Sequence, residues 1–206
     1  MGLSVQDVGA WNCNLSAAEF QLGTDGKTWA LGSPDSYAWS GTSLTIKELR
    51  FETDPIIYGN ILVQNNTAVN QIYTVGFSIP TTWAAPSLIR GSIDTSLIGT
   101  SATVSTVPLF SIYSAQIDFA TVRTLQDNPF SLSTPQGAIS ASAAYGYEAN
   151  AVPVTSNIGI QLRFQLSPGD TVAIISDFEI VAVPEPGTLA FLLLGGSVLV
   201  LRRQRR

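Results

Sequence analysis

The side chains of this chain that could do chemistry are mostly carboxylates, because the sequence contains no histidine. Without histidine there is no usual general base, and a Ser-His-Asp triad and a histidine zinc site are excluded. Two facing carboxylates could still hydrolyse a glycosidic bond. The acidic residues that come into question for such a pair are Asp25, Asp118, Asp177 and Glu179.

The surroundings of these four residues favour structural roles. Asp177 and Glu179 alternate with apolar residues, so they share the polar face of a predicted strand, where we expect solvated acids. Asp118 stands between two apolar residues and is expected to point outward. Asp25 precedes a glycine in a turn signal and lacks the ligand spacing of a calcium loop. The sequence therefore predicts no catalytic residue, no metal site and no cofactor.

The charge of the chain argues against nucleic acid as a partner. Ten basic residues stand against fifteen acidic ones, a formal net charge of −5, and the body of the chain has no basic patch to bind phosphates. The glycine motifs of nucleotide-binding loops are absent too. The single cysteine, Cys13, has no partner for an internal disulfide and no histidine to activate it, so we expect a small buried or near-terminal side chain.

The four tryptophans all lie in the first half of the chain and allow two interpretations. Large aromatic side chains bury much surface, so packing in the core is the first. Exposed indole faces could instead stack on sugar rings, and the candidates for that role are Trp29 and Trp39. The second interpretation would make an extracellular polysaccharide a partner of this protein.

The C-terminal tail joins three features in order. A short linker contains Pro184, Glu185 and Pro186, and the two prolines favour an extended chain. An uncharged apolar run follows, and the residues assigned to the membrane span are Thr188, Leu189, Phe191, Leu192, Leu193, Leu194, Val198, Leu199, Val200 and Leu201. A basic cluster ends the chain, formed by Arg202, Arg203, Arg205 and Arg206. The pattern predicts a C-terminal transmembrane helix held by cytoplasmic arginines.

This order of features resembles the PEP-CTERM sorting signal of Gram-negative bacteria, with Pro184, Glu185 and Pro186 as the signature tripeptide. The resemblance implies an exported protein that is held briefly in the inner membrane. It also implies that exosortase, a membrane thiol protease or transpeptidase, recognises the tail and cuts near the tripeptide. Many members of the family are surface or matrix proteins of biofilm formers. On this resemblance the tripeptide is a substrate site, not a catalytic one.

A plain single-span anchor with a proline-rich stalk is the alternative interpretation of the tail. A helix over residues 186–201 would be roughly 24 Å long, short for a hydrocarbon core of about 30 Å, which suits a transient anchor. Basic residues stay on the cytoplasmic side, so the body of the chain is expected outside. The first 25 residues show no basic and apolar regions of a secretory signal, so we expect the true start to lie upstream or the chain to be truncated.

The body of the chain shows the period of two that is typical of half-buried strands. The clearest strands are predicted over 73–79, 158–166 and 172–180, and Ser167-Pro168-Gly169-Asp170 carries a type II turn signal. We therefore expect residues 158–180 to form an antiparallel hairpin. A change of parity in the first of the weaker strands predicts a bulge near Lys47 and Glu48. Weaker strands are predicted over 44–51, 60–65, 88–93, 109–113, 116–122 and 138–145.

Many short strands separated by proline and glycine predict an all-β fold, an antiparallel β-sandwich that is jelly-roll-like, with one C-terminal transmembrane helix. Residues 1–182 would be the β-sandwich ectodomain and residues 183–206 the sorting signal. The predicted function is that of an exported, non-enzymatic surface or extracellular-matrix protein, with exosortase and the inner membrane as partners. The alternative is a carbohydrate-binding or adhesive module that uses the tryptophans.

Overall fold

A computed structural model of the protein describes residues 2–7 and 19–183. All of its regular secondary structure is β, apart from a single 3₁₀ residue at Glu19. The strands are β1 Gly2–Asp7, β2 Phe20–Leu22, β3 Thr28–Leu31, β4 Asp35–Trp39, β5 Thr42–Glu52, β6 Ile56–Asn65, β7 Gln71–Pro80, β8 Ser87–Ser105, β9 Tyr113–Ile117, β10 Ala120–Leu125, β11 Ser131–Asn150, β12 Asn157–Leu166 and β13 Thr171–Ala182. The predicted antiparallel all-β fold is confirmed, because every described strand pair is antiparallel.

The strands form two layers that are joined at one corner. The first layer runs β1-β7-β12-β9-β10, and the second runs β11-β8-β13-β6-β5, with β3 and β4 paired to β5 and β2 paired to β3. The corner is the end of β8, where Val104 and Ser105 keep their pairing with β11 and also pair with Leu166 and Gln165 of β12. The long strand β8 thus pairs with strands of both layers and forms the corner between them.

Contacts between side chains and backbone show that the two layers face each other. The hydroxyl of Tyr113 on β9 donates a hydrogen bond of 2.8 Å to the backbone oxygen of Asp177 on β13. The hydroxyls of Thr42 on β5 and Tyr73 on β7 lie 3.2 Å apart. Between the layers lies one continuous apolar core, to which β12 and β13 contribute the alternate residues that the period of two predicted. The structure is the β-sandwich that the sequence predicted.

The predicted hairpin over residues 158–180 is wrong. Strand β12 pairs with β7 and β9 in the first layer, whereas β13 pairs with β6 and β8 in the second. The turn between them is correct in its local geometry, with a φ of 77° at Gly169. It carries the chain across the core, not to a neighbouring strand, and Asn65 binds its backbone at both ends.

Two of the weaker strand predictions are also wrong. Residues 109–113 lie mostly in a turn and loop before β9, since Leu109 has a φ of 71° and Pro108 offers no N–H to a ladder. Residues 116–122 are interrupted by the two-residue turn Asp118–Phe119, where both φ values are positive. In each case an apolar side chain that looked buried in the sequence is exposed at the turn, Leu109 at 92% and Phe119 at 72%.

The other strand predictions hold, with longer bounds in two of them. Residues 44–51 and 60–65 lie within β5 and β6, while residues 88–93 and 138–145 are parts of the much longer β8 and β11. The predicted bulge is confirmed, because the pairing of β5 with β6 shifts between Ile46 and Glu48. The predicted transmembrane helix lies outside the described residues, and residues 2–7 and 19–183 contain no helix long and apolar enough to span a bilayer.

Candidate functional site

Asp25 uses its carboxylate to hold a turn. One oxygen accepts hydrogen bonds from the backbone N–H groups of Lys27 and Thr28, at 2.9 and 3.0 Å, and the other accepts one from the Thr28 hydroxyl at 2.6 Å. The Thr28 hydroxyl above all lowers the pKa of Asp25 to about 2. A carboxylate held in its charged form by its own loop is a structural group, as the turn signal predicted.

Asp118 is bound in the same way, but to a distant segment. Its oxygens accept hydrogen bonds from the backbone N–H groups of Thr155, Ser156 and Asn157, at 2.7 to 3.0 Å, and from the hydroxyls of Thr155 and Ser156. These donors, first among them the Asn157 N–H, hold the pKa of Asp118 far below its usual range. The side chain therefore fastens the β9–β10 turn to the start of β12.

The pair Asp177 and Glu179 does share one face of a strand, but the expected full solvation is wrong for Glu179. Its side chain forms an ion pair with Arg90 of β8 and accepts a hydrogen bond of 3.1 Å from the Tyr147 hydroxyl of β11. The residue is only 8% exposed, because these two long side chains cover it. Asp177 is half-buried and accepts a hydrogen bond from the Ser92 hydroxyl. Both carboxylates thus serve the contacts of β13 with its neighbours.

Trp29 packs against the core and also lines a cavity. It lies on β3 opposite Phe51 of β5, is half-buried and packs against the core. It also lines a cavity of about 300 Å³ at one end of the sandwich, between the end of β5 and the end of β7. Polar groups at the cavity come from Glu52, Thr53 and Thr81. That volume is at the lower limit of small-molecule pockets, which run from about 300 to 1,000 Å³.

The remaining predicted site residues are less informative in the structure. Trp39 ends β4 opposite Thr42, and its side chain lies outside the described part of the chain. The tripeptide, the apolar run and the basic cluster of the tail lie outside the described residues as well, and the last described residue is Val183. Within residues 19–183, no three His, Cys, Asp or Glu side chains come together as a metal site would require.

Residues 182–206 match the family model described as the PEP-CTERM protein-sorting motif. No curated protein sequence matches the chain. Among solved structures, the chain is similar to TmCBM61 in complex with beta-1,4-galactotriose, with 11% sequence identity, 60% of this chain and 71% of that chain covered, and a TM-score of 0.30. A likeness at that TM-score carries no argument about this chain.

Proposed function

We propose that this chain, whose C-terminal residues 182–206 carry the PEP-CTERM protein-sorting motif, is an exported, non-enzymatic protein of the cell surface or extracellular matrix. The match of the tail to that motif is the observation that carries the proposal. The motif begins where the fold ends, since Ala182 is the last residue of β13. On this proposal the tail is a separate signal that follows the last strand of the sandwich, and residues 1–182 are the ectodomain.

The tail supplies the route to that location. On this proposal residues 188–201 would cross the inner membrane, and the arginines at the end would keep the C-terminus in the cytoplasm. Exosortase recognises Pro184, Glu185 and Pro186 and releases the ectodomain from the anchor. The protein is then a component of the surface or of a biofilm matrix.

The non-enzymatic part of the proposal is supported by the four carboxylates that the sequence singled out as candidates. Asp25 and Asp118 hold their own or neighbouring loops. Asp177 and Glu179 bind side chains of β8 and β11. A pair that hydrolyses a glycoside needs one carboxyl group free to give a proton and one free to attack or to activate water.

The fold is further proposed to be jelly-roll-like, because β11, β12 and β13 alternate between the two layers.

A substitution in the tripeptide tests the sorting proposal. In a host that contains exosortase, we expect Glu185→Ala to leave a full-length protein in the membrane fraction, because the recognised carboxylate is gone. Gln204→Ala, in the same tail but outside the tripeptide, is the matched control and should be processed like the unchanged chain. Equal processing of the Glu185→Ala chain, measured by mass and fractionation, would contradict the proposal.

A carbohydrate-binding module is the second candidate function, and the cavity beside Trp29 is the observation that favours it. An indole face, one carboxylate and two hydroxyls around about 300 Å³ would suit a single sugar ring. The test is a glycan array with the unchanged chain and with Trp29→Phe, Trp29→Ala and Trp39→Ala. Binding that falls in a folded Trp29 variant would support this function. An array with no bound glycan, with substitutions that only unfold the protein, would remove it.

A further inference from the structure

A shallow groove crosses the outer surface of the second layer, above β8 and between β11 and β13. It consists of two neighbouring depressions of about 290 Å³ and about 350 Å³. Both depressions are lined by Ser92 and Ala144, so they form one continuous groove. From Arg90 at one end to Asp94 at the other, four residue steps along β8 measure about 13 Å. The groove is thus longer than a single sugar ring and has small side chains as its floor.

A bulge in β11 places an aromatic ring at one end of the groove. Tyr145 pairs with Gly91 and Glu148 pairs with Ile89, so β11 contains one residue more than β8 between these pairs. Tyr145 packs against the core, and the extra residue turns Tyr147 to the opposite face. The Tyr147 side chain is 53% exposed, and its ring is held by the Glu179 hydrogen bond and by the Arg90 guanidinium 5.3 Å from its centre.

The charges of the groove favour an uncharged ligand. The charge of Arg90 is neutralised by its ion pair with Glu179. Near the same end of the groove, Arg123 of β10 is neutralised by its ion pair with Glu148 of β11. Two further carboxylates, Asp94 and Asp177, line the groove and leave it negative. An acidic polymer would be repelled there. Carboxylates, a guanidinium and hydroxyls beside an exposed aromatic ring are instead the groups that bind polyhydroxylated rings, which have polar edges and apolar faces.

We propose that this groove binds a segment of a neutral polysaccharide, with Tyr147 as the stacking platform and Asp94 and Asp177 as acceptors for sugar hydroxyls. The inference rests on the proposed function of a surface or matrix protein and names its ligand class. The site is separate from the Trp29 cavity, which lies at the end of the sandwich between the layers. The groove can engage a chain of several rings, whereas the cavity has room for about one.

The test measures retention of the full chain, purified in detergent, by three neutral polymers: a soluble β-glucan, a xylan and a mannan. Alginate serves as the acidic comparison. We expect at least one neutral polymer to bind and alginate not to bind. Tyr147→Ala should weaken that binding about tenfold or more, because it removes the aromatic ring on which a sugar would stack, and Tyr147→Phe should weaken it less, because the ring remains. Asp94→Asn, an exposed change, should also weaken it.

Two controls separate the possible failures. Phe119→Ala removes another exposed aromatic ring, from the turn of the first layer, and should leave binding unchanged. Loss of binding in Trp29→Phe but not in Tyr147→Ala would overturn the groove in favour of the cavity. The groove proposal would also be overturned if none of the three neutral polymers bound, or if alginate bound equally well. It would be overturned as well if the unchanged chain formed a dimer that Tyr147→Ala converted to a monomer. Sorting by the tail is measured separately, so a correctly sorted chain that binds no polymer refutes the groove alone.

Discussion

The side-chain amide of Asn65 donates a hydrogen bond of 3.0 Å to the backbone oxygen of Leu166, a residue 101 positions further along the chain. The same amide also donates to the backbone oxygens of Ser167 and Val69, and its oxygen accepts from the Thr67 N–H and hydroxyl. Asn65 is fully buried. It therefore fixes the point at which the chain crosses from the first layer to the second.

Replacement of Asn65 should be among the most damaging single changes in the domain. Asn65→Ala removes a donor from the buried carbonyl oxygen of Leu166 and from the partly buried ones of Ser167 and Val69, and we expect a loss of about 2 to 3 kcal/mol in the free energy of unfolding. Asn66→Ala, at the exposed neighbouring position, is the control and should change stability by less than about 0.5 kcal/mol. Urea unfolding followed by tryptophan fluorescence measures both. Equal midpoints for the two variants would show that the crossing does not depend on this amide.

Gly91 is required by the close approach of the two layers. A Cβ atom at this position would meet the Tyr113 hydroxyl, and would lie 2.8 Å from the Tyr145 hydroxyl and 2.9 Å from the backbone oxygen of Asp177. Gly91→Ala should therefore cost about 2 kcal/mol of stability. Gly146→Ala, where a Cβ would meet nothing within 4 Å, should cost almost nothing. A Gly91→Ala protein with an unchanged thermal midpoint would contradict the layer spacing.

The stability of the domain should fall in acid partly because of Asp118. The pKa of this carboxyl is lowered in the folded state by the Asn157 N–H and its neighbours, so its contribution is present above the unfolded pKa of about 3.9 and is lost as the pH falls below it. Asp118→Asn should thus be less stable than the unchanged chain at pH 7, and the difference should shrink between pH 4 and the lowest pH at which folding can be measured. A difference independent of pH would refute the assignment.

Phe119 occupies a position that suits glycine better. Its φ is 65° in the two-residue turn between β9 and β10, and its side chain is 72% exposed, so little packing would be lost. We expect Phe119→Gly to stabilise the domain by about 1 kcal/mol, since a side chain in this region of φ costs about that much. Differential scanning calorimetry should show a higher midpoint. A lower midpoint would mean that the phenyl ring makes a stabilising contact.

Local features of the fold could be predicted from the sequence, whereas the choice of partner strand could not. The parity change beside Lys47 gave the bulge of β5, and Pro168-Gly169 gave the turn with its positive φ. Both are properties of a few neighbouring residues. The error in the hairpin over 158–180 has a different origin, because the partners of β12 and β13, and the Asn65 amide that binds the turn between them, are remote in sequence.

The groove on the second layer escaped the sequence analysis for a related reason. A strict period of two places Tyr145 and Tyr147 on one face, and both would then be core residues. The bulge instead turns the side chain of Tyr147 to the opposite face of the sheet. Gly146 between the two tyrosines was the available signal, since a glycine inside a strand often marks a bulge. The ion pair of Arg90 with Glu179 could not be predicted from the sequence, because its two residues lie 89 positions apart.

The central claim, that the tail directs sorting, is tested most directly by the intact mass and location of the full chain in two otherwise identical hosts, one with exosortase and one without it. We predict a shortened protein, cut near Pro184 to Pro186 and found at the surface or in the medium, only in the host that has the enzyme. In the other host the full-length chain should stay in the membrane fraction. The same full mass in both hosts would contradict the claim.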